Sequence, residues 1–117
     1  MPDKFDLEER TFQFAQRVRV FIRKLPKTIT NKEDVEQLTL ASGSVAANYI
    51  EANEALSKKD FVYRIKICRK ESKESRLFLK LVYTGESNKE LDKDRSELID
   101  EATQLLKIFN KIIESSS

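Results

Sequence analysis

The sequence predicts an all-α fold: an antiparallel, up-down-up-down, left-handed four-helix bundle with residues 1–117 as a single domain. Three observations predict it. Apolar and small residues recur at alternating steps of three and four through four separate stretches, the spacing of one buried helical face. Only two glycines and two prolines occur in 117 residues, so the chain has few places to turn. Long helices with short connections follow from that scarcity, and a many-stranded sheet does not. The length, finally, suffices to bury one core but not two.

The helices are expected over about 6–25, 31–56, 58–84 and 90–114. In the first, the buried face reads Leu7, Thr11, Phe14, Val18, Phe21, Leu25; Asp6 can cap its start, with Glu9 three residues on, and Leu25-Pro26-Lys27 stops it. The second face reads Val35, Leu38, Ser42, Val45, Tyr49, Ala52, Leu56, with a cap expected near Thr30 or Asn31. The third reads Phe61, Ile65, Cys68, Ser72, Ser75, Leu79, Val82; Ser57 and Asp60 supply its cap and an acidic first turn, and Gly85 ends it. After Glu86-Ser87-Asn88-Lys89-Glu90 the fourth reads Leu91, Arg95, Leu98, Ala102, Leu105, Phe109, Ile112.

Short connections make consecutive helices antiparallel neighbours. A repeat close to 3.5 residues calls for a gentle left-handed supercoil. Serine and alanine crowd the seam between the second and third helices, so those backbones can approach closely. Beside the first helix's seam lie Arg10, Arg17 and Lys24; beside the fourth's lie Asp94 and Glu101. Antiparallel packing brings Lys24 towards Asp94 and Arg17 towards Glu101, which makes the first and fourth helices adjacent.

Two helices carry apolar residues where solvent should be. Opposite the core seam of the second lie Leu40, Gly43, Ala47 and Ile50; the third shows Tyr63, Ile67, Leu77 and Leu81, interrupted by Lys70 and Glu74. The same face of the fourth helix (Lys93, Glu97, Asp100, Gln104, Lys107, Lys111) is polar throughout. No helix of a four-helix monomer is central, so this surplus calls for cover by another chain. A homo-oligomer, cyclic by default, is the expected outcome.

Chemistry is scarce. The absence of histidine excludes histidine-based zinc sites, histidine general bases and Ser-His-Asp triads. Cys68 falls on a core seam and reads as a small buried hydrophobe rather than an activated thiolate. Glu51, Glu54, Glu71 and Glu74 invite a di-metal reading, but the histidines of such bundles are missing and three of the four point off the seam. Ser42-Gly43-Ser44 lies within a helical stretch with no preceding strand, so it serves close packing rather than phosphate binding. No metal, cofactor or enzymatic activity is expected. The lone cysteine, an acidic N-terminus and the lack of a long apolar run point to a cytoplasmic chain with no membrane partner.

The net charge of +2 is too small to imply a nucleic-acid partner alone. Its distribution is more telling. Between Lys58 and Lys80 nine basic residues face three acidic ones, and Lys59, Lys66, Arg69, Lys73, Arg76 and Lys80 align as a stripe. At 1.5 Å per residue the stripe is about 30 Å long, roughly nine base pairs of duplex. Such a stripe can contact an RNA or DNA backbone. It can equally meet acidic residues of a neighbouring subunit, with Glu33, Asp34, Glu36, Glu51 and Glu54 of the second helix as candidates.

Three strings, FDLEERTFQFAQRV from Phe5 to Val18, QLTLASGSVAANYIEA from Gln37 to Ala52, and ALSKKDFVYRIKICRKESKES from Ala55 to Ser75, resemble a known family of four-helix bundle proteins. That family includes the proteins encoded by intervening sequences within bacterial 23S rRNA genes, and more distantly the accessory bundle proteins of retroelements. The sequence departs from it at Leu40, where arginine is common, and at Leu77-Phe78, where an aromatic pair including Trp is usual. The resemblance implies a left-handed bundle that forms homopentamers without catalytic activity. Two functional expectations follow: a non-catalytic homo-oligomer acting as a scaffold for itself or for an unknown protein partner, or an oligomer that binds RNA or DNA backbones nonspecifically through the basic stripe.

Overall fold

A computed structural model of the protein describes residues 4–116, with side chains described from Leu7 onward. Four helices account for the described residues: α1 (Lys4–Arg23), α2 (Ile29–Asn53), α3 (Lys58–Leu81) and α4 (Lys89–Ser115). Each packs on its two neighbours in the cyclic order α1, α2, α3, α4, with the most extensive seam between α2 and α3 and the slimmest between α1 and α4. The contacts run antiparallel. Arg64 meets Asn48 and Cys68 meets Val45 across α2/α3, while Arg69 meets Asn110 and Arg76 meets Thr103 across α3/α4. The body is 48 Å long, as expected for a 27-residue α4 rising about 1.5 Å per residue plus its turns. Among the described residues no helix is long and apolar enough to cross a membrane.

The core is the seam set except Leu56: α2 ends at Asn53, three residues before the expected 56, and Leu56 beyond it is 98% exposed. Phe14, Val18, Leu38, Val45, Ile65, Leu79, Leu105 and Phe109 are all but inaccessible, and Tyr49 tilts against Phe109 with ring centroids 6.4 Å apart. Small residues bring α2 and α3 together. Cys68 Sγ reaches the Val45 carbonyl at 3.5 Å, and the Ser72 hydroxyl turns back to donate to the Cys68 carbonyl at 2.8 Å. Serine can sit in a helix core this way because its hydroxyl is satisfied within its own helix.

Helix ends differ from the sequence reading in instructive ways. Ser57 does cap α3, its Oγ accepting from the Asp60 amide at 3.0 Å. The cap of α2 is Thr28, which accepts from the Asn31 amide at 3.1 Å, so the helix begins two residues earlier than expected. Asn88 caps α4 through the Leu91 amide. The Asp6 cap expected for α1 lies outside the described side chains.

The largest difference is the end of α3, at Leu81 rather than at the glycine. Val82 turns extended, and a side chain 52 residues away takes over its neighbour's backbone groups. Buried Asn31 accepts from the Tyr83 amide at 2.8 Å and donates to the Tyr83 and Pro26 carbonyls, each at 2.8 Å. Arg95 donates to the freed Val82 carbonyl at 2.6 Å. Asn31 therefore does not cap α2 with its side chain; it ties the α1–α2 turn to the segment leaving α3. Gly85 sits beyond, at φ +100°, the left-handed region where glycine alone is unstrained.

Candidate interaction surfaces

Among the described residues no pocket brings catalytic groups together; the candidate features are surfaces. On α2 and α3 the apolar positions lie outward as a patch. Leu40 is 66% exposed, Ile50 51%, Tyr63 59%, Leu77 50% and Leu81 55%, with Ala47 exposed, Ile67 half-buried, and Gly43 half-buried on the side towards α1. The geometry is a direct result of spacing: steps of three and four opposite a buried seam leave the surplus on one side.

Gly43 has an additional role within the chain. The Arg19 guanidinium of α1 lies over it, donating to the Ala15 carbonyl at 3.0 Å and more weakly to the Thr39 carbonyl at 3.4 Å. A Cβ at position 43 would stand 3.1 Å from Arg19 Nη2. Sequence reading did not foresee the outer face of α1 either. Phe12 is 51% and Val20 44% exposed, on the same side as Arg19 and Arg23. Their eight-residue spacing was a legible signal, two helical turns apart on one stripe.

The basic stripe runs along α3 beside these apolar positions and leans towards α4. Lys59, Lys66, Lys73 and Lys80 are exposed, while Arg69 and Arg76 lean across to α4 and are half-buried. Arg69 donates to Asn110 Oδ1 at 3.1 Å and Arg76 to Thr103 Oγ1 at 3.2 Å. Both partners are neutral. The four ion pairs among the described residues (Arg10–Glu101, Lys24–Asp94, Lys93–Glu97, Arg95–Asp92) include none of the six stripe residues. Nor do they include Glu33, Asp34, Glu36, Glu51 or Glu54 of α2.

Between α1 and α4, Lys24 reaches Asp94 at 3.8 Å as the flanking charges predict. Glu101 pairs with Arg10, not with Arg17. Its two oxygens accept from Arg10 Nε at 2.8 Å and Nη2 at 2.9 Å. The carboxylate lies between the two arginines along α1, and the bidentate fork of one satisfies both of its oxygens. That contact raises the Arg10 pKa further. Arg17 stays exposed beside Glu101 in a shallow hollow.

Two further titrating groups are displaced from their ordinary values. Burial pushes the Cys68 thiol up to about 12, which makes it an inert neutral filler at physiological pH. Glu71 is raised by burial first and then by the hydrogen bond and charge of Glu74, against smaller opposing effects of Lys70 and Ser44. The carboxylates considered for a di-metal site do not converge: among the described residues no group of three or more Cys, Asp or Glu could hold a metal ion.

The fold has relatives. A family model for the 23S rRNA-intervening sequence protein matches residues 3–111, nearly the whole chain. The chain belongs to that family. A solved crystal structure of a protein of unknown function from the S23 ribosomal protein family of Bacteroides thetaiotaomicron superposes with a TM-score of 0.76. It is 23% identical, and the match covers 92% of this chain and 97% of that one. At that identity the likeness shows the fold alone. No curated protein matches this member of the family.

Proposed function

We propose that this family member is a cytoplasmic, non-catalytic scaffold that works as a homo-oligomer, with a pentamer favoured by the resemblance of its sequence. The observation that carries the reading is the outward patch on α2 and α3, where five large apolar side chains are at least half exposed. Covering each would contribute on the order of 1 kcal/mol, half of a full burial. A monomer has nothing to cover them with. Light scattering across a concentration series tests this: the native chain should run at a multiple of its 13.6 kDa, and L40D combined with L81D should run as a helical monomer. A native chain that is monomeric at tens of micromolar overturns the proposal.

One observation favours a second reading, the binding of RNA or DNA backbones. Arg69 and Arg76 are positioned by the neutral groups of Asn110 and Thr103, and the exposed Lys59, Lys66, Lys73 and Lys80 extend the same line of positive charge. Phosphates would supply anions to match it. A titration with duplex should then weaken steeply with salt, with a log–log slope near −0.9 per phosphate contacted. Reversing Lys66, Arg69, Lys73 and Arg76 to Glu should abolish binding with assembly intact. If the same reversal dissolves the oligomer instead, the stripe serves contacts between subunits.

A further inference from the structure

The two sides of α2 carry opposite charge. Towards α3, the half-buried Glu71 and Glu74 interact with each other, and Glu71 also with Ser44 of α2, on the helix that exposes Leu40 and Ala47. Neither carboxylate takes part in an ion pair among the described residues. The other charges on this side are Lys70, whose pull on Glu71 is weaker than the push of Glu74, and Arg64, whose Nη1 is occupied by Asn48. The groove towards α1 is apolar, lined by Phe12, Val20, Gly43 and Ala46, and carries Arg19 and Arg23. The hollow continues over α1 to Asp94 and Glu97, but those two are taken by Lys24 at 3.8 Å and Lys93 at 4.0 Å. Arg19 spends its hydrogen bonds on carbonyls, and so keeps its full charge in a fixed position.

We infer that a second copy of the chain docks with its α1/α2 groove on the α2/α3 side of the first, so that Arg19 and Arg23 of one subunit meet Glu71 and Glu74 of the other. The inference rests on the self-association proposed above and names its contact. Two half-buried carboxylates held side by side repel each other, and cations brought to them relieve that repulsion. The α1/α2 groove supplies them next to apolar surface. Docking like side on like side would set carboxylate against carboxylate or arginine against arginine, so the charges also select the pairing. Gly43 fits this scheme: without a Cβ there, the Arg19 guanidinium can lie across α2 at the foot of the groove.

The test is charge reversal in three variants, followed by light scattering with far-UV circular dichroism to confirm helicity. E71K/E74K and R19E/R23E should each lose the native mass, at least tenfold in association constant. The four changes combined in one chain exchange the signs at every contact, and should restore it. Half-variants that keep the native mass overturn the pairing while leaving self-association intact; a native chain that is itself monomeric overturns the self-association reading instead. A measurement independent of stability uses R19K/R23K and a zero-length carbodiimide. Cross-linking a mixture of 14N- and 15N-labelled chains identifies the coupled peptides that join two chains. The absence of interchain coupling between positions 19 or 23 and Glu71 or Glu74 rejects the inference even if the reversed variants fail to fold.

Discussion

Replacing Asn31 by alanine should cost this bundle more than any single surface substitution. The side chain is 2% exposed and makes three hydrogen bonds of 2.8 Å, to the Pro26 carbonyl and to both backbone groups of Tyr83. Alanine strands two carbonyls and one amide. A fully desolvated orphan costs about 1–3 kcal/mol. Pro26 is only half-buried and Tyr83 is 45% exposed, so water can reach part of the gap and the lower end applies. The sum is about 3 kcal/mol, or a fall of roughly 10–12 °C in Tm for a domain of this size. Circular dichroism melts of N31A and native protein at one fixed concentration would measure it, since association also shifts Tm. N31D refines the test. It keeps the acceptor for Tyr83 but turns an oxygen towards two carbonyls, so its loss at neutral pH should match or exceed that of alanine. Its carboxyl prefers the protonated form when folded, a raised pKa; stability should therefore return as pH falls and vanish as pH rises through that value. A Tm for N31A within about 3 °C of native, under about 1 kcal/mol, refutes the reasoning.

Other outcomes follow from single contacts. Ser75 Oγ is buried with no hydrogen-bond partner among the described residues, so S75A should raise the urea midpoint by about 1 kcal/mol equivalent; a loss would show a partner there. The Cys68 thiol should resist alkylation until the chain unfolds, because burial holds its pKa up to about 12. Folding holds that proton more tightly than the unfolded chain does. Stability should thus be full below about pH 8.5 and decline as pH rises towards 12, more steeply in native protein than in C68A. The Arg10–Glu101 fork, 32% and 16% exposed at its two side chains, should contribute about 1 kcal/mol in a double-mutant cycle and weaken with salt; coupling with Arg17 in its place would contradict the geometry.

The parts of the fold that local spacing controls were legible. The four faces from Leu7 to Ile112, the Ser57 cap and the Lys24–Asp94 contact each depend on residues within a turn or two, or on a register that short connections impose. What escaped depends on distant chain. Nothing near Leu81 announces the end of α3, because Asn31 ends it from 52 residues away. Glu101 could not be assigned to Arg10 over Arg17 from the heptad pattern, since both border the same groove and side-chain reach decides. The outward patch of α2 and α3 was legible as a surplus of apolar positions. The groove beside it was not, because it depends on Arg19 folding across Gly43, a contact between helices that no periodicity encodes.

The apolar positions Tyr63, Leu77 and Leu81 and the basic stripe occupy adjoining faces of α3, the stripe leaning towards α4 through Arg69 and Arg76. A single helix thus carries both surfaces side by side. Under the functions proposed, this has a thermodynamic consequence that requires no moving part. A polyanion long enough to touch stripes on several copies favours the associated state by mass action, and association raises the polyanion's apparent affinity by the same factor. Ligand and assembly would be linked through valency alone, with no change of subunit shape required.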